Sequence, residues 1–200
     1  MRFAGVVLVG GASRRMGRDK ALLTLGGETL LARQVRVLRE AGAGVVFIAG
    51  RRERRHELAG TRFVADAPGA EGPIAGLLSA LAACRATHLA AVAVDLPRLS
   101  PAFLQRLWAR CGAGRGAVAV HAGSFEPLAA IYPREITPLL AAAVSARRFS
   151  LQAVLRFAVA RGLMVAQPLA PAERHELFNT NTPDDLRRAR EGTFSMGSLS

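Results

Sequence analysis

Lys20 is the only lysine in a chain with 27 lysine and arginine residues and a formal net charge of +12. It closes a glycine-rich stretch, residues 10–20, that directly follows the apolar run Phe3 to Val9. Arginine presents a planar fork, whereas lysine presents a compact point charge on a thin stem. Because a site packed tightly around a phosphate can require the second and reject the first, Lys20 is the leading candidate for a catalytic residue. A chance lysine in an arginine-rich composition is the alternative interpretation.

The stretch that ends at Lys20 matches neither common phosphate-binding signature. The P-loop needs a lysine directly after glycine and then Ser or Thr, but Lys20 comes three residues after Gly17 and precedes Ala21. It also lacks the spacing G-x-G-x-x-G. Backbone N–H groups of such a loop can still surround phosphates, with its cations adding charge. A plain turn between strand and helix is the alternative. The candidate residues here are Gly10, Gly11, Arg14, Arg15 and Lys20.

Two of the five aspartates directly follow apolar, strand-like runs. Asp95 follows Leu89 to Val94 and stands on a stiff Asp-x-Pro turn. It suits Mg²⁺, which takes one or two protein carboxylates plus substrate phosphates. Asp66 ends an earlier run in the same way and could reach a base, a ribose or a water. Both could instead be turn-forming or helix-capping residues.

Two further segments are candidates for ligand contacts, one through glycine backbone and the other through asparagine side chains. Gly72-Pro73-Ile74-Ala75-Gly76 is a rigid turn whose glycines would let a base lie against the main chain, or it simply starts a helix. Asn179 and Asn181 would project from one side of an extended segment and could offer amide donors and acceptors to a polar heterocycle. A capped turn is the alternative there.

Apolar runs alternate with amphipathic stretches along the chain, which predicts an open, mostly parallel α/β sheet with right-handed crossovers. Such sheets bind ligands at the carboxyl ends of their strands. The predicted strands are 3–9, 45–49, 62–65, 89–94, 117–121, 127–132 and 163–165. The predicted helices are 29–40, 74–84, 101–110, 133–146, 151–161 and 184–190, with Ser100 as a cap. Residues 1–191 are predicted to form a single domain, followed by a flexible tail, 192–200.

Composition narrows the class of protein. Only 6% of the residues are aromatic and none interleave the cluster 51–55, so a base-stacking nucleic-acid surface is not expected. The apolar runs are too short to span a bilayer, and the amino terminus has no signal-peptide pattern. Cys84 and Cys111 have no zinc-like spacing and are predicted to be buried, reduced thiols. These observations predict a cytoplasmic protein with neither nucleic-acid nor membrane partners.

The motifs together resemble the molybdenum cofactor guanylyltransferase family, in order and spacing, from Val6 to about Ala189. The matching segments are Leu8-Val9-Gly10-Gly11 with Ser13, Arg15-Met16-Gly17, Asp19-Lys20-Ala21-Leu22, residues 72–76, Asp95-Leu96-Pro97 and Asn179-Thr180-Asn181-Thr182-Pro183. Two positions depart from the family pattern. Val9 stands where alanine is usual, and Gly50 where family members can carry an asparagine.

The resemblance implies a three-layer α/β/α Rossmann-like nucleotidyltransferase fold. It also implies Mg²⁺-dependent transfer of GMP from GTP to the terminal phosphate of molybdopterin, with release of pyrophosphate. The implied catalytic residues are Lys20, Arg15 and Asp95, with Asp95 as the metal ligand. The implied nucleotide-binding residues are Leu8, Val9, Gly10, Gly11, Lys20, Asp66, Gly72, Gly76 and Asp95. Asn179 and Asn181 are expected on the pterin side.

The resemblance also implies guanine rather than cytosine, because the similar enzymes that use CTP tend to differ from Gly10-Gly11 and residues 72–76. The attacking phosphate monoester is already largely dianionic near neutral pH, because its second pKa is ~6, so no histidine base is required. None of the four histidines lies in a candidate loop. Two alternatives remain open: a nucleotidyltransferase for another phosphorylated acceptor, of the CTP:molybdopterin or sugar-phosphate type, and a non-catalytic GTP-binding module. Proteins that deliver molybdopterin, or chaperones of molybdoenzymes, are possible partners.

Overall fold

The computed structural model of the chain describes residues 3–9 and 19–194. Within these ranges it has a seven-stranded central sheet and a separate two-stranded hairpin. The strands are β1 (Phe3–Leu8), β2 (Thr24–Leu25), β3 (Glu28–Thr29), β4 (Ala43–Gly50), β5 (Thr61–Ala65), β6 (His88–Ala93), β7 (Gly116–His121), β8 (Ser124–Pro133) and β9 (Met164–Pro168). In the central sheet their order is β5-β4-β1-β6-β8-β7-β9.

Only β8 runs against the other strands of the central sheet. It pairs antiparallel with β6 and β7, whereas the pairs β1–β4, β1–β6, β4–β5 and β7–β9 are parallel. The predicted mostly parallel α/β sheet is therefore confirmed. The parallel strands end together at one edge, which we call the carboxyl edge. Leu8, Gly50, Ala65 and Ala93 are the last residues of β1, β4, β5 and β6 there.

Helices cover both faces of the sheet, giving the predicted three layers. They are α1 (Leu30–Glu40), α2 (Pro73–Ala83), α3 (Pro101–Trp108), α4 (Thr137–Ser145), α5 (Leu151–Ala160) and α6 (Pro183–Phe194). The core on one face contains buried residues of α1 and α3, and the core on the other contains those of α2, α4 and α5. Neighbouring residues of β1 serve different faces, because Val7 lies in the first core and Val6 and Leu8 in the second.

Local sequence signals explain where several helices begin. The Thr29 hydroxyl accepts a hydrogen bond from Ala32 N at 3.1 Å at the start of α1. Ser100, the predicted cap of α3, accepts from Phe103 N at 3.1 Å. Proline occupies the first turn of both α2 and α3, where its missing N–H costs no intrahelical bond.

Several predicted boundaries are wrong. The helix predicted from Pro133 begins only at Thr137, because Pro133 completes β8 opposite His88 and a 3₁₀ turn, Arg134–Ile136, follows. β8 also starts at Ser124 rather than Pro127, since it forms a tight hairpin with β7. The last strand runs over Met164–Pro168 rather than stopping at Val165, because it pairs with residues 116–120 of β7.

Several short elements were not predicted. They include the β2–β3 hairpin and two 3₁₀ helices, Lys20–Leu22 and Pro171–Leu177. Helix α6 continues to Phe194, and the remainder of the predicted tail, 195–200, lies outside the described residues. No helix in the described part of the chain is both long and apolar enough to cross a bilayer.

Candidate active site

Lys20 joins two other predicted site residues at the carboxyl edge. Its Nζ donates to Asp95 Oδ2 at 3.0 Å and to Asn181 Oδ1 at 2.8 Å. The Lys20 and Asp95 side chains are 16% and 22% exposed, so their ion pair is partly shielded from water. Residues from three distant parts of the sequence therefore meet around one ammonium group. Screening is weaker at such a site than on the open surface.

The backbone around Lys20 is fixed by the carboxylate of Asp19. Asp19 Oδ1 accepts from Ala21 N at 3.0 Å and caps the 3₁₀ helix that Lys20 begins. Asp19 Oδ2 lies 3.2 Å from His56 Nε2. The His56 side chain is only 10% exposed and belongs to the connection between β4 and β5. A histidine from outside the candidate loops thus supports the residue next to Lys20.

His56 is a functional-site neighbour that the sequence did not identify. The prediction that no histidine lies in a candidate loop is correct along the chain, but in space His56 contacts the end of the glycine-rich loop. Its own neighbours, Arg55 and Glu57, give no local sign of this contact. Only the packing of the β4–β5 connection against Asp19 brings the two together.

Three consecutive carbonyls hold the turn that carries Asp95. Asp95 O accepts from Thr180 N at 2.9 Å. The other two carbonyls accept from side chains of α1: Leu96 O from Gln34 Nε2 at 2.6 Å, and Pro97 O from Arg33 Nε at 2.8 Å. The turn is therefore preorganised before any ligand binds.

Gln34 and Thr180 are further residues that the sequence analysis missed. Both are fully buried, and Gln34 Oε1 and Thr180 Oγ1 have no hydrogen-bond partner in the described part of the chain. A signal for Gln34 was present, because it lies on the helix face that also buries Leu31 and Leu38. A buried polar residue on an apolar helix face needs a partner, and here its amide group supports the Asp95 turn.

The segment that carries the two asparagines has the predicted alternation. Asn179 and Asn181 are exposed and flank the buried Thr180. Asn181 reaches Lys20, as described above. Asn179 is exposed two residues before Asn181, and its predicted role on the pterin side remains a proposal.

The predicted nucleotide-side residues converge where α2 begins. A Cβ built on Gly76 would lie 3.0 Å from Ala49 Cβ and 3.1 Å from both Asp66 Oδ1 and Leu8 Cδ2. The absence of a side chain at Gly76 therefore lets α2 approach the ends of β1, β4 and β5. Asp66 N donates to Gly50 O at 2.9 Å, which aligns the ends of β5 and β4.

On the predicted nucleotide side, Asp66 has a shifted pKa and Gly72 has an unusual backbone conformation. Burial raises the pKa of the Asp66 carboxyl, with Arg51 opposing the shift and Glu53 adding to it. Gly72, directly before α2, has φ of +72°, a conformation that requires glycine there. This explains Gly72 as helix-start geometry and leaves its predicted contact with a base as a proposal.

Comparison with known proteins identifies the family. Residues 5–162 match the model of the MobA-like NTP transferase domain. The chain belongs to this family. A probable molybdenum cofactor guanylyltransferase of Opitutus terrae is 46% identical over 94% of both chains. The molybdenum cofactor guanylyltransferase of Rhizobium meliloti is 36% identical, covering 92% of this chain and 88% of the relative.

Solved structures agree with this assignment. The molybdopterin-guanine dinucleotide biosynthesis protein A of Archaeoglobus fulgidus has a TM-score of 0.75 and 27% identity, covering 97% of this chain and all of its own. A nucleotidyl transferase from Methanothermobacter, with a TM-score of 0.78 and 20% identity over 98% and 99% of the two chains, supports the fold alone. The predicted family resemblance and nucleotidyltransferase fold are confirmed, and this MobA-like protein is a nucleotidyltransferase.

Four predicted site residues of this MobA-like domain lie outside the part of the chain that the structure describes. Gly10, Gly11, Arg14 and Arg15 lie in the stretch 10–18, outside the described residues. Leu8 is buried at the end of β1, and Val9 directly follows it and donates from its N–H to Ala49 O at 2.9 Å. The described chain therefore ends at Val9, directly after β1, and resumes at Asp19.

The MobA-like domain offers one carboxylate to a metal at the Lys20 cluster. Among the described residues, no group of three His, Cys, Asp or Glu side chains could hold a metal ion. Asp95 uses Oδ2 for Lys20, while its Oδ1 accepts no hydrogen bond from the residues in 3–9 and 19–194. A single carboxylate oxygen without a partner among the described residues fits Mg²⁺, because the other ligands of this ion are usually waters and substrate phosphates.

Proposed function

We propose that the protein transfers GMP from GTP to the terminal phosphate of molybdopterin, which forms the molybdopterin guanine dinucleotide cofactor and releases pyrophosphate. Relatives named molybdenum cofactor guanylyltransferase, up to 46% identical, support this acceptor and this nucleotide. The single observation that carries the proposal is the double contact of Lys20 with Asp95 and Asn181. It places one cation between a carboxylate suited to a metal and an amide suited to a heterocycle.

The reaction is a displacement at the α-phosphorus of GTP. An oxygen of the molybdopterin phosphate forms the new P–O bond, while the bond to the β-phosphate oxygen breaks and pyrophosphate leaves with its electron pair. The attacking phosphate has a second pKa of ~6, so it needs no general base near neutral pH. The barrier is the approach of two anions and the charge on the leaving group. The enzyme therefore needs positioned positive charge more than proton transfer.

Lys20 supplies part of that charge. Its ammonium is held between Asp95 and Asn181, so it is oriented before substrates arrive. A triphosphate oxygen can accept a hydrogen bond from the same ammonium group. We propose that GTP and the acceptor lie on either side of Lys20. We assign Arg15 a second cationic role in the glycine-rich loop.

Asp95 is proposed to hold Mg²⁺ through the oxygen that Lys20 leaves free. When bound, the ion supplies positive charge to the phosphates and the leaving pyrophosphate. The bonds that Thr180 and Gln34 make to the Asp95 turn keep this carboxylate in one place. A flexible carboxylate would bind the ion more weakly, because ordering its side chain on binding costs free energy.

The remaining residues are assigned to two binding regions, one on each side of the Lys20 cluster. We assign guanine and ribose to the side where β1, β5 and the start of α2 meet, and the pterin to the side of the two asparagines. The proposed nucleotide-side residues are Leu8, Val9, Gly10, Gly11, Asp66, Gly72 and Gly76. The proposed pterin-side residues are Asn179 and Asn181. We also propose that residues 1–191 form a single domain and that the protein acts in the cytoplasm. Its proposed protein partners are those that deliver molybdopterin, or chaperones of molybdoenzymes.

The test is a substrate panel with labelled GTP or CTP, Mg²⁺, and either molybdopterin or sugar phosphates. The proposal expects pyrophosphate and a dinucleotide only when GTP and molybdopterin are both present. Turnover with CTP, or with a sugar phosphate, would replace it by another nucleotidyltransferase activity. Binding of GTP without turnover on any acceptor would indicate a non-catalytic module.

A further inference from the structure

Strand β8 contains a bulge at the carboxyl edge. Val118 of β7 pairs with Ala130 of β8, but Val120 pairs with Phe125. One residue of β7, Ala119, therefore stands opposite the four residues 126–129 of β8, which we call the β8 bulge. Bulges redirect side chains and are frequent beside active sites. Glu126 is the first residue of this bulge.

Both neighbours of Glu126 are anchored. Gln152 of α5 binds both backbone groups of Phe125: its Nε2 donates to Phe125 O at 2.8 Å, and its Oε1 accepts from Phe125 N at 3.1 Å. On the other side, the fully buried Tyr132 donates its hydroxyl to Pro127 O at 2.8 Å. Glu126 is thus held on a rigid backbone rather than on a mobile turn.

The sheet places Glu126 at the same edge as the Lys20 cluster. β8 runs antiparallel to β6, with Val92 opposite Ala129 as the last pair at this edge. The bulge interrupts this register, and Phe125, the residue before Glu126, pairs with Val120 near the end of β7. Glu126 therefore lies at the carboxyl edge, on the strand next to β6, the strand that Asp95 follows. In the strand order β1-β6-β8, β6 separates Glu126 on β8 from Leu8 on β1 and from the proposed guanine side. Glu126 therefore lies on the side of β6 that we assign to the acceptor.

The carboxylate of Glu126 has no partner among the residues that the structure describes. It is half-buried, yet no hydrogen bond or ion pair within the described residues involves it, although Glu28, Glu40, Glu57, Glu173 and Glu176 all pair with arginines. Burial raises the pKa of this carboxyl, and His121 opposes that shift. A partly desolvated carboxylate without donors costs free energy that a ligand with N–H groups would recover.

We propose that Glu126 binds the amino-pyrimidinone edge of the acceptor, accepting hydrogen bonds from a ring N–H and the adjacent amino group of a pterin. Two parallel N–H donors match the two oxygens of a carboxylate, as in bidentate arginine pairs. This inference rests on the proposed function for its acceptor. Guanine carries the same pair of donors, so GTP is the competing source of this chemistry, and the position beyond β6 favours the pterin.

The first test compares steady-state kinetics of wild type and Glu126→Gln. Gln keeps the size of the side chain but offers only one acceptor oxygen. We expect KM for molybdopterin to rise by about tenfold or more, with KM for GTP and kcat within about twofold of wild type. Glu135→Gln, at an exposed glutamate just beyond the opposite end of β8, is the matched control and should change neither KM. A rise only in KM for GTP, or no change in either KM, would overturn the inference.

A second test needs neither turnover nor GTP. Fluorescence titration measures binding of pterin, and of lumazine, which has an oxygen in place of the amino group. We expect wild type to bind pterin more tightly than lumazine, and Glu126→Gln to lose that preference. Because the readout is a ratio, a partly unfolded sample does not mimic it. An unchanged preference contradicts the role of Glu126, whereas failure of wild type to form the dinucleotide contradicts the proposed function instead.

Discussion

The side chain of Val9 fills the space that a side chain on Gly50 would occupy. A Cβ built on Gly50 would lie 2.7 Å from Val9 Cγ2, closer than side chains normally approach. These are the two positions at which the sequence departs from the family pattern that we inferred. The structure makes them one feature: the larger residue after β1 is accommodated by the absence of a side chain at the end of β4.

This contact predicts strong coupling between the two positions. Gly50→Ala alone should destabilise the protein by about 1–3 kcal/mol, because overpacking forces neighbours to shift. Val9→Ala should relieve the clash, so the double variant Val9→Ala/Gly50→Ala should recover most of the loss. Urea unfolding of the four proteins measures the coupling. Additivity within about 0.5 kcal/mol would contradict it.

Replacing the metal-side carboxylate should stop turnover without unfolding the protein. Asp95→Asn removes both the proposed Mg²⁺ ligand and the ion pair with Lys20, so we expect a loss of roughly 10² or more in kcat. Circular dichroism should be unchanged, since the Asp95 turn is held through its backbone. Asp184→Asn, at an exposed aspartate of α6, is the control and should retain activity. A near-normal rate with unchanged Mg²⁺ dependence in Asp95→Asn would remove Asp95 from the site.

Lysine rather than arginine should be required at residue 20. The Nζ lies 3.0 Å from Asp95 and 2.8 Å from Asn181, and a guanidinium is too broad to take the place of this point charge. We expect Lys20→Arg to lose almost as much kcat as Lys20→Ala, roughly 10²–10³. The control is Arg187→Lys, the opposite exchange at an exposed position, which should leave kcat nearly unchanged. If Lys20→Arg keeps more than about a third of the wild-type rate, a loss under ~0.7 kcal/mol, the requirement for lysine is wrong.

Base choice should depend on the bare backbone where α2 begins. We expect GTP to be preferred over CTP by at least tenfold in kcat/KM, or ~1.4 kcal/mol. Gly76→Ala adds a Cβ about 3 Å from Leu8 and Asp66 and should raise KM for GTP. Gly112→Ala, where a Cβ has ordinary contacts and φ is not positive, serves as the control. Equal use of GTP and CTP by wild type would contradict the assignment of guanine to this side.

The two thiols should be unreactive in the native state. Burial raises the pKa of Cys111 from 9.0 to about 12, and burial also raises that of Cys84. At pH 8 both should react slowly with Ellman's reagent in buffer and rapidly in urea, with a Cys84→Ala variant isolating Cys111. Since the folded pKa of Cys111 is above the unfolded value, the free energy of unfolding should fall as pH rises from about 9 towards 12. Fast native labelling at pH 8 would contradict this prediction.

Much of the fold could be predicted because its signals are local. Apolar runs alternating with amphipathic stretches indicated a mostly parallel sheet, and capping residues such as Ser100 marked helix starts. Parallel strands end at one edge, so residues at or just beyond the ends of different strands, such as Leu8, Asp66 and Asp95, were expected at the same edge. The sequence also pointed to Lys20 by composition alone, since no other position in the chain uses lysine.

Tertiary structure alone decided which of these residues touch. The contact between Lys20 and Asn181 joins positions 161 residues apart, and the contact of His56 with Asp19 has no local signature. The reversed direction of β8, and the bulge that places Glu126 at the carboxyl edge, follow from strand order and register. Local periodicity shows which face of a segment is buried, whereas sheet order and loop packing are settled by long-range contacts that form only when the whole core assembles.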